Sequence, residues 1–323
     1  SLMPEEVLGA SFRVYIGVKG DKIIKKYQHR IPRKSEGYFL KIEKDCIVIA
    51  GADERGAYYG VQTLAQLLAL DKLPLAEVTD YPDVPYRGVV EGFYGAPWSQ
   101  EACIRQLDFY GRNKMNVYIY GPKDDPYHRT PNWRKPYPAR EGEELKVLVN
   151  RAKENNVIFY WAIHPGQDIR WNEEDRSLLL QKFESMYQLG VRGFAVFFDD
   201  ISGEGTKADK QAELLNYIDD HFVKVKRDVA PLILCPTEYN KSWTDVEGRY
   251  LTTLGDKLNE GIKVMWTGDM VVATIDKSTL DFVNPLLKRK AYIWWNFPVS
   301  DYVQDHLLLG PVYGNGLDVK DDM

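Results

Sequence analysis

Gly193-Phe194-Ala195-Val196-Phe197-Phe198-Asp199-Asp200 runs through six residues with no polar side chain and ends on two adjacent carboxylates. A strand with no polar position is buried on both faces, which belongs to a parallel sheet covered by helices rather than to a half-solvated antiparallel one. Six more short apolar runs flank it at intervals of 30–40 residues: Gly88–Tyr94, Met115–Tyr120, Val157–Ile163, Leu232–Cys235, Ile262–Trp266 and Ala291–Trp295. Helix-length amphipathic stretches fill the gaps, as in Gln100–Asn113, Glu144–Asn155, Glu174–Leu189 and Lys210–Lys226. Two architectures fit this alternation, an open doubly wound sheet or a (β/α)8 barrel. The exits decide. Gly92-Phe93-Tyr94-Gly95, Lys123-Asp124-Asp125, His164-Pro165-Gly166-Gln167-Asp168, Glu238-Tyr239-Asn240, Thr267-Gly268-Asp269 and Asn296-Phe297 put polar groups at the other six strand ends. A barrel assembles its site from every such loop, whereas an open sheet concentrates it at one crevice, usually with a Gly-rich phosphate loop that this sequence lacks. The fold class expected is α/β, a (β/α)8 TIM-type barrel.

Adjacent anions at the rim of a desolvated cavity repel, so at least one of Asp199 and Asp200 is expected to bind its proton more tightly, as a general acid must near neutral pH. A lone Asp after a strand reads first as a cap for the following turn. Two in a row, at a rim where the other exits are polar too, read first as chemistry. Strand alternation would send the two side chains to opposite faces. Both reach one ligand only if the strand stops there and the chain turns, which Ser202, Gly203 and Gly205 make feasible.

Outside this pattern, residues 1–83 read as a small α/β domain and 84–323 as the barrel. Phe12–Val18, Tyr38–Ile42 and Cys46–Ala50 are β-rich. Asp53 is placed to cap a helix whose apolar face is Tyr58, Val61, Leu64, Leu67 and Leu68, and Asp80 to Pro85 reads as a linker. The formal charge of −5 is spread without a Lys/Arg run, which argues against nucleic acid, and no apolar stretch approaches membrane-spanning length. Cys46, Cys103 and Cys235 are too scattered for a disulfide framework or a zinc site. His164 has no partner at ligand spacing, so no metal is expected and its role reads as structural. Aromatic residues make up 13% of the chain, which suits either sugar stacking or a large core.

Five motifs occur in order: Gly92-Phe93-Tyr94-Gly95 with Trp98, Tyr120 to Tyr127, Trp161 to Gly166, Phe198 to Ile201, and Trp294-Trp295-Asn296 through Asp301. Together they closely resemble glycoside hydrolase family 84, the β-N-acetylglucosaminidases that include the O-GlcNAcases, with the bacterial members of Bacteroidetes type as the nearest match. The resemblance covers residues 87 to 313 and extends to the small domain. It implies a retaining exo-β-N-acetylglucosaminidase acting on terminal β-linked GlcNAc of glycoproteins or glycans, without cofactor or metal. The mechanism implied is substrate-assisted, with the sugar's own acetamido oxygen attacking C1 to give an oxazoline. Asp199 matches the residue that orients the acetamido N–H, and Asp200 matches the acid/base. Tyr239 matches the tyrosine that bonds the acetamido group. Asn296, Asp301, Lys123 and the Gly92 backbone match groups that hold sugar hydroxyls. Cys235, Thr267 and Trp294 match the walls of the N-acetyl pocket, and Tyr94 the aglycone side. Of Trp294 and Trp295, neighbours on a strand, at most one is expected to face the ligand.

Measured against the family pattern, the chain is expected to stop before the eighth barrel strand and to lack a sugar-binding asparagine from it, and the front of the small domain reads as short. No leader is visible at the N-terminus, and a periplasmic or secreted bacterial location is expected, with the cytoplasm as the other option. The rival activities are an endo-acting hyaluronidase-like hydrolase, a chitinase-like hydrolase, whose D-x-x-D-x-D-x-E strand ending is not found here, and a non-catalytic GlcNAc-binding barrel.

Overall fold

The computed structural model describes residues 13–297, 299 and 316–323, and the chain divides into two compact units, residues 1–87 with 109–116, and residues 88–108 with 117–323. The first unit carries a four-stranded mixed sheet. Its strands are β1 (Arg13–Val18), β2 (Tyr38–Ile42), β3 (Cys46–Gly51) and β4 (Ala76–Asp80), in the order β1-β3-β2-β4. Helix α1 (Glu54–Leu68) packs on β2 and β3. The Asp53 carboxylate accepts from Gly56 N at 2.8 Å, so the expected cap is present and satisfies one of the four orphan amides of the first turn. Tyr38, Leu40, Ile47, Ile49, Tyr59 and Leu64 form the core between sheet and helix. Strand β4 takes in Asp80, so the Pro-rich connection begins at Tyr81.

In the second unit, seven parallel strands are hydrogen-bonded in chain order: β5 (Gly88–Glu91), β6 (Val117–Tyr120), β7 (Ile158–Ile163), β8 (Gly193–Phe197), β9 (Ile233–Cys235), β10 (Lys263–Trp266) and β11 (Tyr292–Ile293). All seven fall inside the apolar runs expected to be strands. The helices between them are α2 (Gln100–Arg112), α3 (Ala139–Glu154), α4 (Glu173–Gln188), α5 (Ala208–Ile218), α6 (Arg249–Lys257) and α7 (Lys277–Leu287). Every residue of β8 is buried, which is what its lack of polar side chains demands.

The sheet is curled. In a flat seven-stranded sheet the outer strands lie about 29 Å apart, six spacings of about 4.8 Å. Here a Cβ added to Gly92, at the end of β5, would meet the ring of Trp294, at the end of β11, at 2.8 Å. The first and last strand exits therefore converge, as in a (β/α)8 barrel, and among the described residues β5 and β11 are not paired. The parallel register aligns the strand ends, with Glu91 beside Tyr120, Tyr120 beside Trp161 and Phe197 beside Cys235. Among the aromatic residues, Trp133, Trp161 and Trp266 are fully buried, so the aromatic surplus serves the core as well as the strand exits.

Candidate active site

Strand β8 stops at Phe197, and the chain reverses at Asp200, whose φ is +55°. That left-handed conformation is uncommon outside glycine and is least costly for Asn and Asp. It removes the alternation problem, because the carboxylates no longer belong to one extended strand. The turn is held from both neighbouring strands. Phe198 N donates to the Cys235 carbonyl at 2.9 Å, and Thr237 Oγ1 donates to the Phe198 carbonyl at 2.9 Å. On the other side, His164 Nε2 donates to the Asp199 carbonyl at 2.7 Å.

Both carboxylates line a cavity of about 100 Å³. Gly92, Tyr94, Cys235, Tyr239, Thr267, Trp294 and Asn296 line it too, so nine of the eleven residues singled out from the sequence meet at one place. Of the other two, Asp301 lies outside the described residues. Lys123 does not line the cavity. It is buried, and its ammonium is committed to Asp199 Oδ2. Trp294 faces the cavity and packs on Phe197, whereas Trp295 turns away to donate from Nε1 to the Ala273 carbonyl, so one tryptophan of the pair points inward as expected.

The pair is asymmetric. Asp199 is buried and Asp200 exposed. Burial is the largest single influence on Asp199 and works against its charge. The Lys123 ammonium and the His164 contact outweigh it and hold the carboxyl well below the usual carboxylate range. Its Oδ1 has no hydrogen-bond partner among the described residues, and His164 Nε2 lies 3.4 Å away. Asp200 instead accepts two phenols, Tyr94 at 3.0 Å on Oδ2 and Tyr239 at 2.9 Å on Oδ1. Burial and then the Asp200 charge push both phenols upward, so they remain donors. The Cys235 thiol is raised well above its ordinary value by burial and the Asp199 charge, which makes it an unreactive apolar wall. The structure therefore offers one fixed buried anion and one exposed carboxylate with two donors, beside a niche walled by Cys235, Thr267 and Trp294. Among the described residues no group of three or more His, Cys, Asp or Glu could hold a metal ion.

Val271, Val272 and Val299 also line the cavity and were not singled out from the sequence. The signal was available for two of them, since Val271-Val272 sits in an apolar run, Met270 to Ala273, within the strand-exit loop. Asn296 Nδ2 donates to the Val271 carbonyl at 2.8 Å, which ties that loop to the end of β11. Gly92 is required by packing, because its missing Cβ is where the Trp294 ring lies. Replacing Gly92 with Ala is expected to destabilise the fold by about 1–3 kcal/mol through overpacking. Urea denaturation measures this, and an unchanged midpoint would show that the ring is free to retreat.

Comparison with known proteins agrees with this arrangement. A family model described as beta-N-acetylglucosaminidase matches residues 87–323, and one described as glycosyl hydrolase family 20, domain 2, matches residues 19–81. The Protein O-GlcNAcase of Rattus norvegicus is 36% identical over 242 residues, which are 72% of this chain and 26% of that protein. The chain thus spans about a quarter of the length of the curated relatives it matches. Among solved structures, CpGH84B superposes with a TM-score of 0.85 at 42% identity, covering 90% of this chain and 53% of the other. A Thermobaculum terrenum O-GlcNAc hydrolase variant gives 0.69 at 31% identity, covering 75% and 54%. The family match takes in every strand of the curled sheet and every residue of the cavity, and so this chain belongs to the β-N-acetylglucosaminidases of glycoside hydrolase family 84.

Proposed function

We propose that this chain carries the catalytic site of a retaining exo-β-N-acetylglucosaminidase of O-GlcNAcase type, with Asp199 and Asp200 as its catalytic pair. The observation that carries this reading is the division between the two carboxylates, one buried and fixed as an anion by Lys123, the other exposed between two phenol donors. Substrate assistance needs that division. As the acetamido oxygen forms its bond to C1, the amide N–H becomes acidic and its positive charge grows. The unpartnered Oδ1 of ionised Asp199 accepts that N–H. The bond from C1 to the aglycone oxygen breaks, and Asp200 supplies the proton that oxygen takes. In the second step Asp200 takes a proton from water, whose oxygen bonds to C1 while the oxazoline C–O bond breaks. Two displacements at C1 retain the configuration. Cys235, Thr267 and Trp294 form the niche for the acetamido methyl, which a larger acyl group would overfill.

The aglycone proposed is the serine or threonine of a glycoprotein or a further sugar; two of the relatives named above, a Protein O-GlcNAcase and an O-GlcNAc hydrolase, support the first. Among the described residues no helix is long and apolar enough to cross a membrane. The proposed location, periplasmic or secreted, rests on the resemblance to bacterial members.

The test is hydrolysis of aryl N-acylglucosaminides with zero to three fluorines on the acyl methyl. Fluorine withdraws electrons from the acetamido oxygen, so kcat/KM is expected to fall progressively, by about 10²-fold or more across the series, as nucleophilic assistance is lost from the transition state. A flat series points instead to an enzymic nucleophile, and no turnover of any member points to a binding barrel.

A further inference from the structure

His164 directly follows β7 and is buried. A carbonyl oxygen can only accept, so the 2.7 Å contact to the Asp199 carbonyl puts an imidazole proton on Nε2. Nδ1 has no hydrogen-bond partner among the described residues. A buried polar nitrogen left unpaired costs stability, and an apolar side chain of similar size would avoid that cost. What the imidazole supplies, and an apolar side chain cannot, is the Nε2–H.

The place where that donor acts is the peptide between the two catalytic aspartates. The Asp199 carboxylate has its own anchor in Lys123. Asp200 has none within its own backbone turn, since its left-handed φ is a sparsely populated conformation that the surroundings have to impose. The Phe198 carbonyl is fixed from β9 by Thr237, and the next carbonyl, that of Asp199, is fixed from β7 by His164. The ring is itself held in place, because His164 N donates to the His128 carbonyl at 2.8 Å and the two imidazoles meet edge to face at 6.0 Å.

We propose that His164 is a positioning residue for catalysis: its Nε2–H clamps the Asp199 carbonyl, holds the reversed backbone at Asp200, and so aims the acid/base carboxylate at the leaving oxygen. This rests on the reading of Asp200 as acid/base. The role acts through the aim of Asp200, while the Lys123 ammonium, the larger of the two influences that keep Asp199 low, stays in place when His164 is replaced. Loss of the clamp therefore falls most heavily on substrates whose leaving group needs a proton.

Two nearly isosteric variants separate the donor from the volume. Gln carries an N–H where Nε2 lies, and Met fills similar space without one. For His164→Met, kcat on aryl N-acetylglucosaminides with poorly acidic phenols is expected to fall by about 10²-fold, the cost of misplacing a catalytic group by about 1 Å. KM and the rate with acidic phenols should change by less than about fivefold, because proton donation matters little there. With His164→Gln most of the lost rate should return, and the thermal midpoints of the two variants should agree within a few degrees. Equal losses in both variants, a loss independent of the leaving group, no loss in either, or failure of both to fold would each overturn the proposal and leave His164 a packing residue. Should only the Met variant fail to fold, the Gln variant decides alone, and it has to keep the wild-type leaving-group dependence. An inactive wild-type chain would instead overturn the functional reading of the site, and the role of His164 with it.

Discussion

Asp200→Asn is expected to cost about 10²–10⁴-fold in kcat/KM with poor leaving groups, serine-linked sugar included, and little in the first step with acidic phenols. Among the described residues the exposed Asp200 accepts from two phenols, and in the proposed mechanism it is the group that hands a proton to the departing oxygen. An acidic phenol departs as its anion and does not call on that proton. Asp199→Asn acts on the attacking side, where the buried charge supports the acetamido N–H whatever group departs. Its penalty should be about 10²–10³-fold and level across leaving groups, as expected when a fixed electrostatic partner of the transition state is removed. The measurement is kcat/KM for both variants over phenols of graded acidity. A steep dependence in Asp199→Asn with a level one in Asp200→Asn would reverse the assignment, and small level losses in both would make the pair structural.

The two proposed roles are open to adjacent residues only because of what the backbone does at Asp200, and this marks where the sequence stops being legible. The parallel sheet was readable because β8 and its neighbours have to be apolar on both faces, and the seven runs stand out on that ground alone. The convergence of the exits followed from polar groups at all seven strand ends. The sequence requires the strand to stop at the aspartates and points to Ser202, Gly203 and Gly205 as what makes a turn feasible, but it does not show that the reversal rests on Asp200 itself, an aspartate at positive φ beside carbonyls bonded from the exits of β7 and β9. Such a conformation is imposed by tertiary contacts and leaves no mark in local propensity. Strand β4 was missed for the opposite reason. Ala76–Asp80 is a half-exposed edge strand whose pairing with β2, rather than its composition, makes it a strand. The tie between Lys123 and Asp199 joins residues 76 positions apart and could not be read from either loop alone.

Lys123→Met should separate two accounts of that lysine. The resemblance to the family implies contact with a sugar hydroxyl, whereas in the structure the ammonium neutralises Asp199 behind the cavity wall. With the cation gone, burial is left to push Asp199 upward without its main counterweight. Breaking a buried pair from one side costs about 3–5 kcal/mol, because the remaining charge is unpaired in a desolvated place. The pH dependence carries the diagnosis. In the wild-type chain the folded value of Asp199 lies below the unfolded one, so its contribution is present in full above about pH 4 and is lost only as pH falls through the folded value. In the variant only the His164 contact is left to oppose burial, so the folded value is expected to rise above the unfolded one, making Asp199 cost stability at neutral pH, a cost relieved as acid protonates it. Urea denaturation should therefore show the variant far weaker than wild type at pH 7.5 and less so at pH 4.5. Catalysis should move the other way. The variant needs Asp199 ionised, so its kcat deficit, about 10²-fold near neutrality by analogy with the loss of one preorganised electrostatic partner, should shrink as the pH rises. A lysine that served only a sugar hydroxyl would instead raise KM by a factor independent of pH and leave the stability gap level from pH 4.5 to 7.5, and that result would remove Lys123 from the electrostatics of the pair.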